Sequence, residues 1–516
     1  MSQADRIHAS IFPNCDVLEP VKEFVEDKTP PGDPEPLSRG VGIMKSLVHT
    51  MKGNRRKAGI SRYGVMLCSG LLVCTAGFLA NLSCGGGAGS SAGSGSIPPP
   101  NSKIQHVVVI FQENRTPDNL FHDPVLIERG ADLASSGVNS KGQTIPLASI
   151  PMVVDYGLDH SHSSFVLMCD QGSGGCAMDG ADKIPVLDCH QTVCPPPNAQ
   201  FAYVQASDVA PYFNMAETYT FADRMFETNQ GPSFPAHQFI ISGTSAPTAS
   251  SDLFAAENPV GVPNATNNTG CTAPVGETVA LIDPSGSESS SQYPCFEHPT
   301  LPDLLGAQSF TWRYYAPSAG SIWTGPNAIQ HLRMGPAWTQ NVVLNQTQVL
   351  TDIAAGQLAN VTWVIPSGQA SDHSNETDGS GPSWVSSIVN AIGNSQFWSN
   401  TAIFIAWDDW GGWYDHVAPT LKNSYEYGFR VPMIVVSPYA KAAYISHVTH
   451  DFGSILKYIE ENFGLSSLGY ADADADDLSD CFDYNQTPLT FQRITAPLDA
   501  KHFIEDKTPP TDPDDD

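Results

Sequence analysis

Short apolar runs recur along the chain and predict a series of buried strands. Five of these runs are continuously apolar and rich in β-branched or aromatic residues, namely 105–111, 238–242, 361–366, 401–407 and 431–438. Continuous apolarity, as opposed to alternation with polar residues, indicates strands that are buried on both faces. The pattern therefore predicts an α/β fold in which helices cover a mostly parallel sheet.

Helices are predicted at about 302–307, 348–359, 383–394 and 451–463. The last is the best marked, because Asp451 can cap its start and Gly464 can end it. Two stretches, 115–235 and 244–300, are rich in Gly, Pro, Ser, Asn and Thr. They are too long to be simple connections, so we interpret them as loop insertions over one rim of the sheet.

The first hundred residues have a different organisation. A basic segment, 51–62, precedes the apolar run 63–80, and small residues follow up to Cys84. This arrangement predicts an export signal over 44–84, with Cys84 as the candidate lipid acceptor of a lipoprotein. A single membrane anchor is the alternative, since about 18 apolar residues approach the shortest bilayer span. Either interpretation predicts an exported protein that is periplasmic, membrane-anchored or extracellular.

Residues 1–43 precede this signal, and part of them is duplicated at the other end of the chain. The segment FVEDKTPPGDPEP (24–36) resembles FIEDKTPPTDPDDD (503–516). We interpret 1–43 as an artefact of the gene model, and a genuine acidic extension is the alternative. Residues 85–102 are rich in Gly, Ser and Pro and predict a flexible linker. The remaining predicted parts are a folded domain, 103–500, and an acidic tail, 501–516.

The composition of the chain excludes several classes of protein. Lys and Arg number 25 against 54 Asp and Glu, a formal net charge of −29. So acidic a surface does not suit nucleic acid, which is bound through Lys and Arg, and we predict no nucleic-acid partner. Hydrophobic residues at 41% are too many for a disordered chain. Neither a GxSxG nor an HExxH motif occurs, so serine-hydrolase and zincin functions lack support.

Seven cysteines follow Cys84, and in an exported protein they favour disulfides. Their close spacing suggests the pairs Cys169–Cys176, Cys189–Cys194 and Cys271–Cys295, with Cys481 left over. Sequence alone does not fix the pairing. A cysteine-based zinc site is the alternative, although no CxxC pair occurs.

Polar clusters follow two of the predicted strands. Glu113 and Asn114 come directly after the first strand, and Asp408 and Asp409 come directly after 401–407. In open α/β sheets, ligands collect beyond the carboxyl ends of the strands. Carboxylate and amide oxygens are hard ligands, so these residues predict a site for one divalent metal ion of unknown identity.

Other polar residues could complete such a site. Gly231, Pro232 and Pro235 form a tight loop around Ser233, whose hydroxyl could be a nucleophile activated by a metal. A turn serine is the alternative. Four histidines could bind metal or transfer protons, although each alone is also typical of a structural residue: His160, His373, His416 and His447. The aromatic residues Trp407, Trp410, Trp413 and Tyr414 could line a choline site or pack the loop.

The segment HVVVIFQENRTPDNLF (106–121) resembles the opening signature of a bacterial phosphoesterase family that includes secreted phospholipases C and an acid phosphatase. In that signature Thr116 and Pro117 replace the usual Ser and Phe. The resemblance continues through LDHSH (158–162), FADRMFETNQGPSFPAHQFIISG (221–243), SDHSNETDGSGPSWVSSIVNAI (371–392), WDDWGGWYDHV (407–417) and SHVTHDFGSILKYIEENFGL (446–465). It covers nearly all of 103–490, in the same order.

The resemblance implies a three-layer α/β/α fold like that of alkaline phosphatase. It implies that Glu113, Asn114, Ser233, Asp408 and Asp409 bind the metal and that Ser233 is also the nucleophile. His160 and His373 match histidines on the phosphate and leaving-group side, whereas His416 and His447 match family histidines of less defined role.

The implied partner is a phosphate ester, either a diester such as a phospholipid or a monoester. Membrane association would occur through the N-terminal signal or a lipid anchor. A sulfatase or phosphonate hydrolase of the same superfamily and an exported non-catalytic binding protein are the alternatives.

Overall fold

An eight-stranded sheet forms the centre of the computed structural model, which describes residues 103–187, 195, 197–262 and 268–511. The strands of this sheet, numbered in chain order, are β1 His106–Gln112, β2 Thr220–Ala222, β3 Trp312–Tyr315, β4 Val342–Val343, β5 Val361–Val364, β6 Thr401–Trp407, β7 Met433–Val436 and β8 Tyr444–Ser446. Their order across the sheet is β4-β3-β5-β1-β6-β7-β2-β8. All except β7 run in the same direction, so the predicted mostly parallel sheet is confirmed.

Helices occupy the connections between these strands and the segment that follows β8. In chain order they are α1 Pro117–Leu120, α2 Pro124–Glu128, α3 His162–Cys169, α4 Ala206–Thr218, α5 Ser233–Ser242, α6 Leu301–Ala307, α7 Gln330–Met334, α8 Pro336–Asn341, α9 Gln348–Ala354, α10 Gly381–Gly393, α11 Phe452–Phe463, α12 Ala471–Asp474 and α13 Ala500–Glu505. Short ribbons outside the main sheet comprise Ser136–Val138, Thr144–Pro146, Ala148–Ile150, Gly157–Leu158, Val186–Leu187, Ala202–Val204, Met225–Phe226, Phe254–Ala255, Val279–Ile282, Ser290–Gln292 and His450–Asp451.

Helices cover both faces of the sheet. Alternate residues of each strand point to opposite faces, so each strand contacts helices on both sides. Phe111 of β1 packs edge-on against Phe452 of α11, with ring centroids 5.5 Å apart. Trp407 of β6 packs against Tyr212 of α4 on the other face, with centroids 5.1 Å apart. Helix α5 lies beside α11, and α10 lies beside α4. The predicted α/β fold is therefore confirmed, with a layer of helices on each face of the sheet.

Two predictions about the fold are wrong. The run 238–242 is not a strand but the end of α5, all ten residues of which are buried. A helix buried on every side loses its amphipathic period, so a short apolar run from it looks like a strand. The stretch 115–235 is also not wholly an insertion, since it includes the layer helix α4 and the sheet strand β2.

The predicted start and end of α11 are confirmed. The Asp451 side chain accepts a hydrogen bond from the Ser454 backbone N–H at 3.1 Å, and the Ser454 hydroxyl in turn accepts from the Asp451 N–H at 3.1 Å. Gly464 follows the helix with φ of 66°, a left-handed conformation that favours glycine. Capping at both ends stabilises α11, which packs against β1.

Two of the predicted disulfides, Cys169–Cys176 and Cys271–Cys295, are confirmed, and Cys481 is a buried free thiol. Cys189 and Cys194 lie outside the described residues. So do residues 1–102, and the export signal, the lipid acceptor Cys84, the linker and the doubtful extension therefore stay predictions. Across the described part of the chain, no helix has both the length and the apolar character needed to cross a membrane.

The chain beyond residue 500 packs against the sheet's helical layer. Phe503 of α13 is buried and contacts Trp384 of α10, with ring centroids 5.3 Å apart. Further on, the Gly368 N–H donates to the Thr511 carbonyl at 3.0 Å, and the Thr511 N–H donates to Gln369 Oε1 at 2.9 Å. Part of the segment predicted to be an acidic tail thus contacts the loop that leads to His373.

The cap of α11 can be tested by substitution. Asp451→Ala should lower the free energy of unfolding by about 1–2 kcal/mol, because the first turn of α11 loses its side-chain acceptor. Asp451→Asn is the matched control and should retain most of the stability, since asparagine caps helices comparably well. Urea unfolding followed by circular dichroism measures both. Equal losses in the two variants would show that the carboxylate charge, and not capping, is the source of the stabilisation.

Candidate active site

The carboxyl ends of β1 and β6 lie side by side in the middle of the sheet. Gln112 pairs with Trp407 at the last position of the two strands, so Glu113 and Asp408 leave adjacent strand ends together. Backbone contacts then hold the two segments together. The Asn114 N–H donates to Asp408 Oδ1 at 3.1 Å, and the Arg115 N–H donates to the Asp409 carbonyl at 3.0 Å. The structure thus brings the two polar clusters of the sequence into one site.

The backbone at this junction is tightly constrained. Asn114 has φ of 64°, in the left-handed region that asparagine tolerates better than most residues. Gly411 presses against it so closely that a Cβ at Gly411 would lie 2.3 Å from the Asn114 carbonyl oxygen. Position 411 therefore requires glycine, and the loop after β6 closes directly over the loop after β1.

Ser233 enters the site as the first residue of α5. Its Oγ donates a hydrogen bond to Asp409 Oδ2 at 3.1 Å, and its side chain is buried. The other oxygen of Asp409 accepts from the Gly411 N–H at 2.8 Å, which orients the carboxylate. A hydroxyl at a helix N-terminus lies in the positive end of the helix dipole, which favours negative charge on its oxygen.

His160 is connected to the acidic residues of the site through Asn114. The His160 Nδ1–H donates to the Leu158 carbonyl at 2.9 Å, which leaves Nε2 as an acceptor for the Asn114 amide N–H at 3.0 Å. His160 Nε2 also lies 4.0 Å from Asp409 Oδ2. Because the Asn114 amide nitrogen faces His160, its oxygen Oδ1 faces away from His160.

His373 lies next to His160, with ring centroids 5.9 Å apart. Its Nδ1–H donates to the Ser374 carbonyl at 2.7 Å. Burial, followed by the neighbouring His160, lowers the pKa of His373 to about 4. The preceding residue is held firmly, since the Tyr212 hydroxyl and the Trp407 indole N–H each donate to Asp372 Oδ2 at 2.9 Å.

Several buried atoms at the centre of the site have no hydrogen-bond partner among the described residues. They are both carboxylate oxygens of Glu113, Asn114 Oδ1 and Asp408 Oδ2. Burying carboxylates without a counterion is costly, so binding of a cation would explain why these oxygens converge. Carboxylate and amide oxygens are also the ligands that divalent cations accept, so the residues present fit a metal ion.

The pKa shifts of the carboxyl groups are consistent with a cation-binding site. Burial, followed by the charge of Asp408, raises the pKa of Glu113 well above its usual value. Burial and Asp408 likewise raise the pKa of Asp409 to about 8. Burial also raises the pKa of Asp408, but interactions with His237 and Glu113 outweigh it, so the net shift is downward. Three carboxyl groups thus compete for charge in a small volume.

His237 is a member of this group that the sequence did not reveal. Its Nε2 lies 3.5 Å from Glu113 Oε1 and 3.6 Å from Asp408 Oδ2, and its side chain is fully buried. Ser233 and His237 are four residues apart and share one face of α5. The wrong strand prediction for 238–242 hid this spacing, which a helix prediction would have revealed.

His416 and His447 contact a second cluster of charges instead of the carboxylates around Ser233. His416 contacts Asp118 Oδ2 at 2.7 Å and Asp132 Oδ1 at 3.0 Å. The His447 ring contacts Asp223 Oδ2 at 2.8 Å and is 53% exposed. Their predicted participation in catalysis therefore gains no support from these contacts.

Arg430 is the centre of this second cluster. It donates to both oxygens of Asp415 at 2.9 Å and to the carbonyls of Asp132 and Asp223 at 2.8 and 2.7 Å. Asp118, Asp415 and His416 lie close enough together to bind a metal. However, the guanidinium of Arg430 already neutralises this group, so the cluster is better explained as a structural ion-pair network.

The aromatic residues around the acidic pair pack the loop. Trp407, Trp410 and Trp413 are fully buried, and Tyr414 is nearly so. Trp410 packs on Phe429, with ring centroids 4.9 Å apart, and the Arg115 guanidinium lies 5.1 Å from the Trp413 ring. The structure therefore favours packing over a choline site at these four positions.

The profile of the Phosphoesterase family matches residues 104–466, which contain every element of the site. The chain belongs to the Phosphoesterase family. Among curated proteins it is similar to Non-hemolytic phospholipase C of Pseudomonas aeruginosa, 23% identical over 468 residues that cover 80% of this chain and 62% of that protein. It is also similar to Phospholipase C A of Mycobacterium tuberculosis, 22% identical over 478 residues that cover 79% of this chain and 82% of that protein.

Solved structures give a weaker match to this Phosphoesterase family chain. A protein in the alkaline phosphatase superfamily from Vibrio parahaemolyticus aligns with 10% identity and a TM-score of 0.33, covering 72% of this chain and 70% of that one. The family match and the named relatives together support a phosphoric ester hydrolase.

The second cluster predicts a pH-dependent stability. Burial lowers the pKa of His416, but the hydrogen bond and charge of Asp118 and the charge of Asp415 outweigh burial and the opposing Arg430, and raise the pKa to about 9. A pKa that is higher in the folded protein stabilises it below pH ~6.5, the value for an unfolded histidine, and that stabilisation is lost as the pH rises through about 9. The stability difference between wild type and His416→Gln should therefore shrink between pH 6.5 and 9.5 in thermal unfolding. A constant difference would contradict this assignment.

Proposed function

We propose that this chain is a metal-dependent hydrolase of phosphate esters that uses Ser233 as its nucleophile. The observation that carries the proposal is the hydrogen bond from Ser233 Oγ to Asp409 Oδ2, at 3.1 Å, beside buried oxygens that lack partners. A nucleophile requires a nearby proton acceptor and a group that stabilises its oxyanion. Asp409 supplies the first, and the positive end of α5 contributes to the second.

The metal would be held by Glu113, Asn114, Asp408, Asp409 and the Ser233 hydroxyl. When bound, it would lower the pKa of that hydroxyl and offset charge on the phosphoryl oxygens. The hydrogen bond between Asn114 Nδ2 and His160 supports this assignment, because it directs Oδ1 away from His160 and leaves it for a cation. We therefore assign His160 to positioning Asn114.

The proposed reaction has two displacement steps. Ser233 Oγ attacks phosphorus, its proton passes to Asp409, and the bond between phosphorus and the leaving oxygen breaks. In its imidazolium form, which the negative charge of the bound phosphate favours, His373 protonates that leaving oxygen. Water then attacks phosphorus and its proton passes to His373. The bond between Ser233 Oγ and phosphorus breaks, and Asp409 returns its proton to Oγ to regenerate the free serine. We assign proton transfer to His373 because His160 Nε2 already accepts from Asn114.

A phosphodiester is the substrate class that the charges favour. A phosphomonoester is largely a dianion at neutral pH, whereas a diester carries one negative charge. Arg115, the cation next to the metal-binding pair, donates to the Asp372 carbonyl at 2.8 Å, to Asn119 Oδ1 at 3.0 Å and to the Met152 carbonyl at 3.5 Å. Its donors are thus engaged elsewhere, and a diester such as a phospholipid requires less compensation. The names of the curated relatives, phospholipases C, agree with this choice.

The nucleophile is tested by Ser233→Ala. Turnover of bis-nitrophenyl phosphate should fall by about 10³-fold or more, because the group that forms the covalent intermediate is lost. Ser233→Thr is the matched control, since it keeps a hydroxyl at the same position, and it should retain measurable turnover. Circular dichroism and the thermal midpoint verify that both variants fold. Wild-type turnover in Ser233→Ala would exclude the mechanism.

The substrate class is tested by comparing bis-nitrophenyl phosphate, nitrophenyl phosphate and nitrophenyl phosphocholine at equal concentrations. We expect kcat/KM for the diesters to exceed that for the monoester by about 10-fold or more, a difference of about 1.4 kcal/mol in transition-state stabilisation. A preference for nitrophenyl phosphate would instead identify a phosphatase.

Metal dependence is tested by dialysis against a chelator. Activity should be lost and should return when a divalent metal is added. The thermal midpoint should also fall on chelation, because a ligand present at about 100 times its Kd stabilises the folded state by about 2.7 kcal/mol. Full activity and an unchanged midpoint after exhaustive chelation would contradict a metal site at Glu113 and Asp408.

A further inference from the structure

His237 lies at the base of the site with its ring nitrogen directed at two carboxylates. It is one helical turn after Ser233, and Nε2 lies 3.5 Å from Glu113 Oε1 and 3.6 Å from Asp408 Oδ2. None of these three atoms has a hydrogen-bond partner among the described residues. The mechanism above does not use His237, so its placement requires a separate explanation.

The other side of the ring indicates which nitrogen carries the hydrogen. His237 Nδ1 lies 3.5 Å from the Tyr314 hydroxyl, which donates its own hydrogen to the Trp323 carbonyl at 2.8 Å. The Tyr314 oxygen can therefore only accept, so the hydrogen between the two residues belongs to His237 Nδ1. In a neutral ring, Nε2 then presents a lone pair to Glu113 and Asp408.

The backbone of Gly325 packs against His237 and holds the partner of its ring. Gly325 approaches so closely that a Cβ there would lie 2.3 Å from the His237 carbonyl oxygen. The Gly325 N–H also donates to the Tyr314 hydroxyl at 3.3 Å, which fixes that hydroxyl beside the ring. An imidazole whose second nitrogen is held by a fixed partner is the arrangement found at histidine ligands of metals.

A lone pair facing two carboxylates is repulsive unless a cation lies between them. We propose that His237 Nε2 is a further ligand of the divalent metal bound by Glu113 and Asp408, and that it gives the site a nitrogen donor. The proposal rests on the metal site of the proposed function. Glu113 and Asp408 each offer an unpartnered oxygen within 3.6 Å of Nε2, so a single cation can contact all three residues.

A nitrogen ligand changes which metal the site prefers. Carboxylate, amide and hydroxyl oxygens alone suit Ca²⁺, Mg²⁺ or Mn²⁺, whereas imidazole suits zinc, iron and other transition metals. With His237 as a ligand, the site favours a transition metal over Ca²⁺. The competing explanation is a protonated His237 that neutralises the carboxylates as an imidazolium and binds no metal.

The test is calorimetric titration of the metal-free, full-length protein with Co²⁺ and with Ca²⁺. The variants are His237→Asn, Asp408→Asn, and His502→Gln as a matched control, because His502 is exposed on α13. We expect His237→Asn to weaken Co²⁺ binding by about 100-fold and to reduce the preference for Co²⁺ over Ca²⁺. His502→Gln should bind both metals as the wild type does.

A spectroscopic measurement adds a direct readout of the ligand. In the Cu²⁺-loaded wild-type protein, pulsed electron paramagnetic resonance should show modulation from the remote nitrogen of a bound imidazole. In His237→Asn this modulation should be lost or clearly reduced. Unchanged modulation together with unchanged Co²⁺ affinity would overturn the proposal in favour of the imidazolium.

Asp408→Asn separates this inference from the proposed function. If Asp408→Asn loses Co²⁺ binding and His237→Asn does not, the nitrogen ligand is wrong and the metal site stands. If neither variant changes Co²⁺ binding, the metal site itself is wrong. Should His237→Asn not fold, Tyr314→Phe takes its place: removal of the Nδ1–H acceptor should weaken Co²⁺ binding by about 10-fold, and unchanged binding would overturn the inference.

Discussion

The burial of several carboxyl groups close together at the centre of the sheet is the constraint on which the rest of this structure depends. Glu113, Asp408 and Asp409 are fully buried, and four oxygens of Glu113, Asn114 and Asp408 have no partner among the described residues. Removing such groups from water without a counterion costs several kcal/mol for each charge. Glu113 and the two aspartates lie together because β1 and β6 are adjacent strands that end at paired positions. A cation bound in this position would compensate these carboxylates and so stabilise the folded chain.

The surrounding groups orient the site and keep the charges in place. Gly411 allows the loop after β6 to close over Asn114, and Asp372 anchors the segment of His373 through Tyr212 and Trp407. The aromatic rings of the loop after β6 pack around these hydrogen bonds and lower the local dielectric constant, which strengthens each electrostatic interaction. The buried tryptophans thus contribute to the site by packing.

The sequence predicted the sheet better than it predicted the site's helix. Strands β1, β5, β6 and β7 are continuous apolar runs, and burial on both faces is what such runs signal. Glu113, Asn114, Asp408 and Asp409 could be assigned to one site because they follow strand ends. The same reasoning failed at α5, where burial on every side removed the helical period. That failure also concealed His237, because the relation between Ser233 and His237 is visible only on a helix.

Acidic residues of the structure form two clusters, one around Arg430 and one around Ser233, and the two clusters have different partners. Around Arg430, the chain supplies basic partners for its acidic residues. Contacts with Arg430, Arg224, His416 or His447 are made by Asp118, Asp132, Asp223 and Asp415. Around Ser233, Arg115 donates its hydrogen bonds elsewhere, and the basic side chains within 4.0 Å of the carboxylates in the described part of the chain are the histidines His160 and His237. The two clusters thus differ in chemistry, because arginine pairs with the carboxylates of the first, whereas histidine, serine and an amide contact those of the second. In the proposed function, the second cluster would obtain its positive charge from a bound cation, next to which a phosphoryl group would bind.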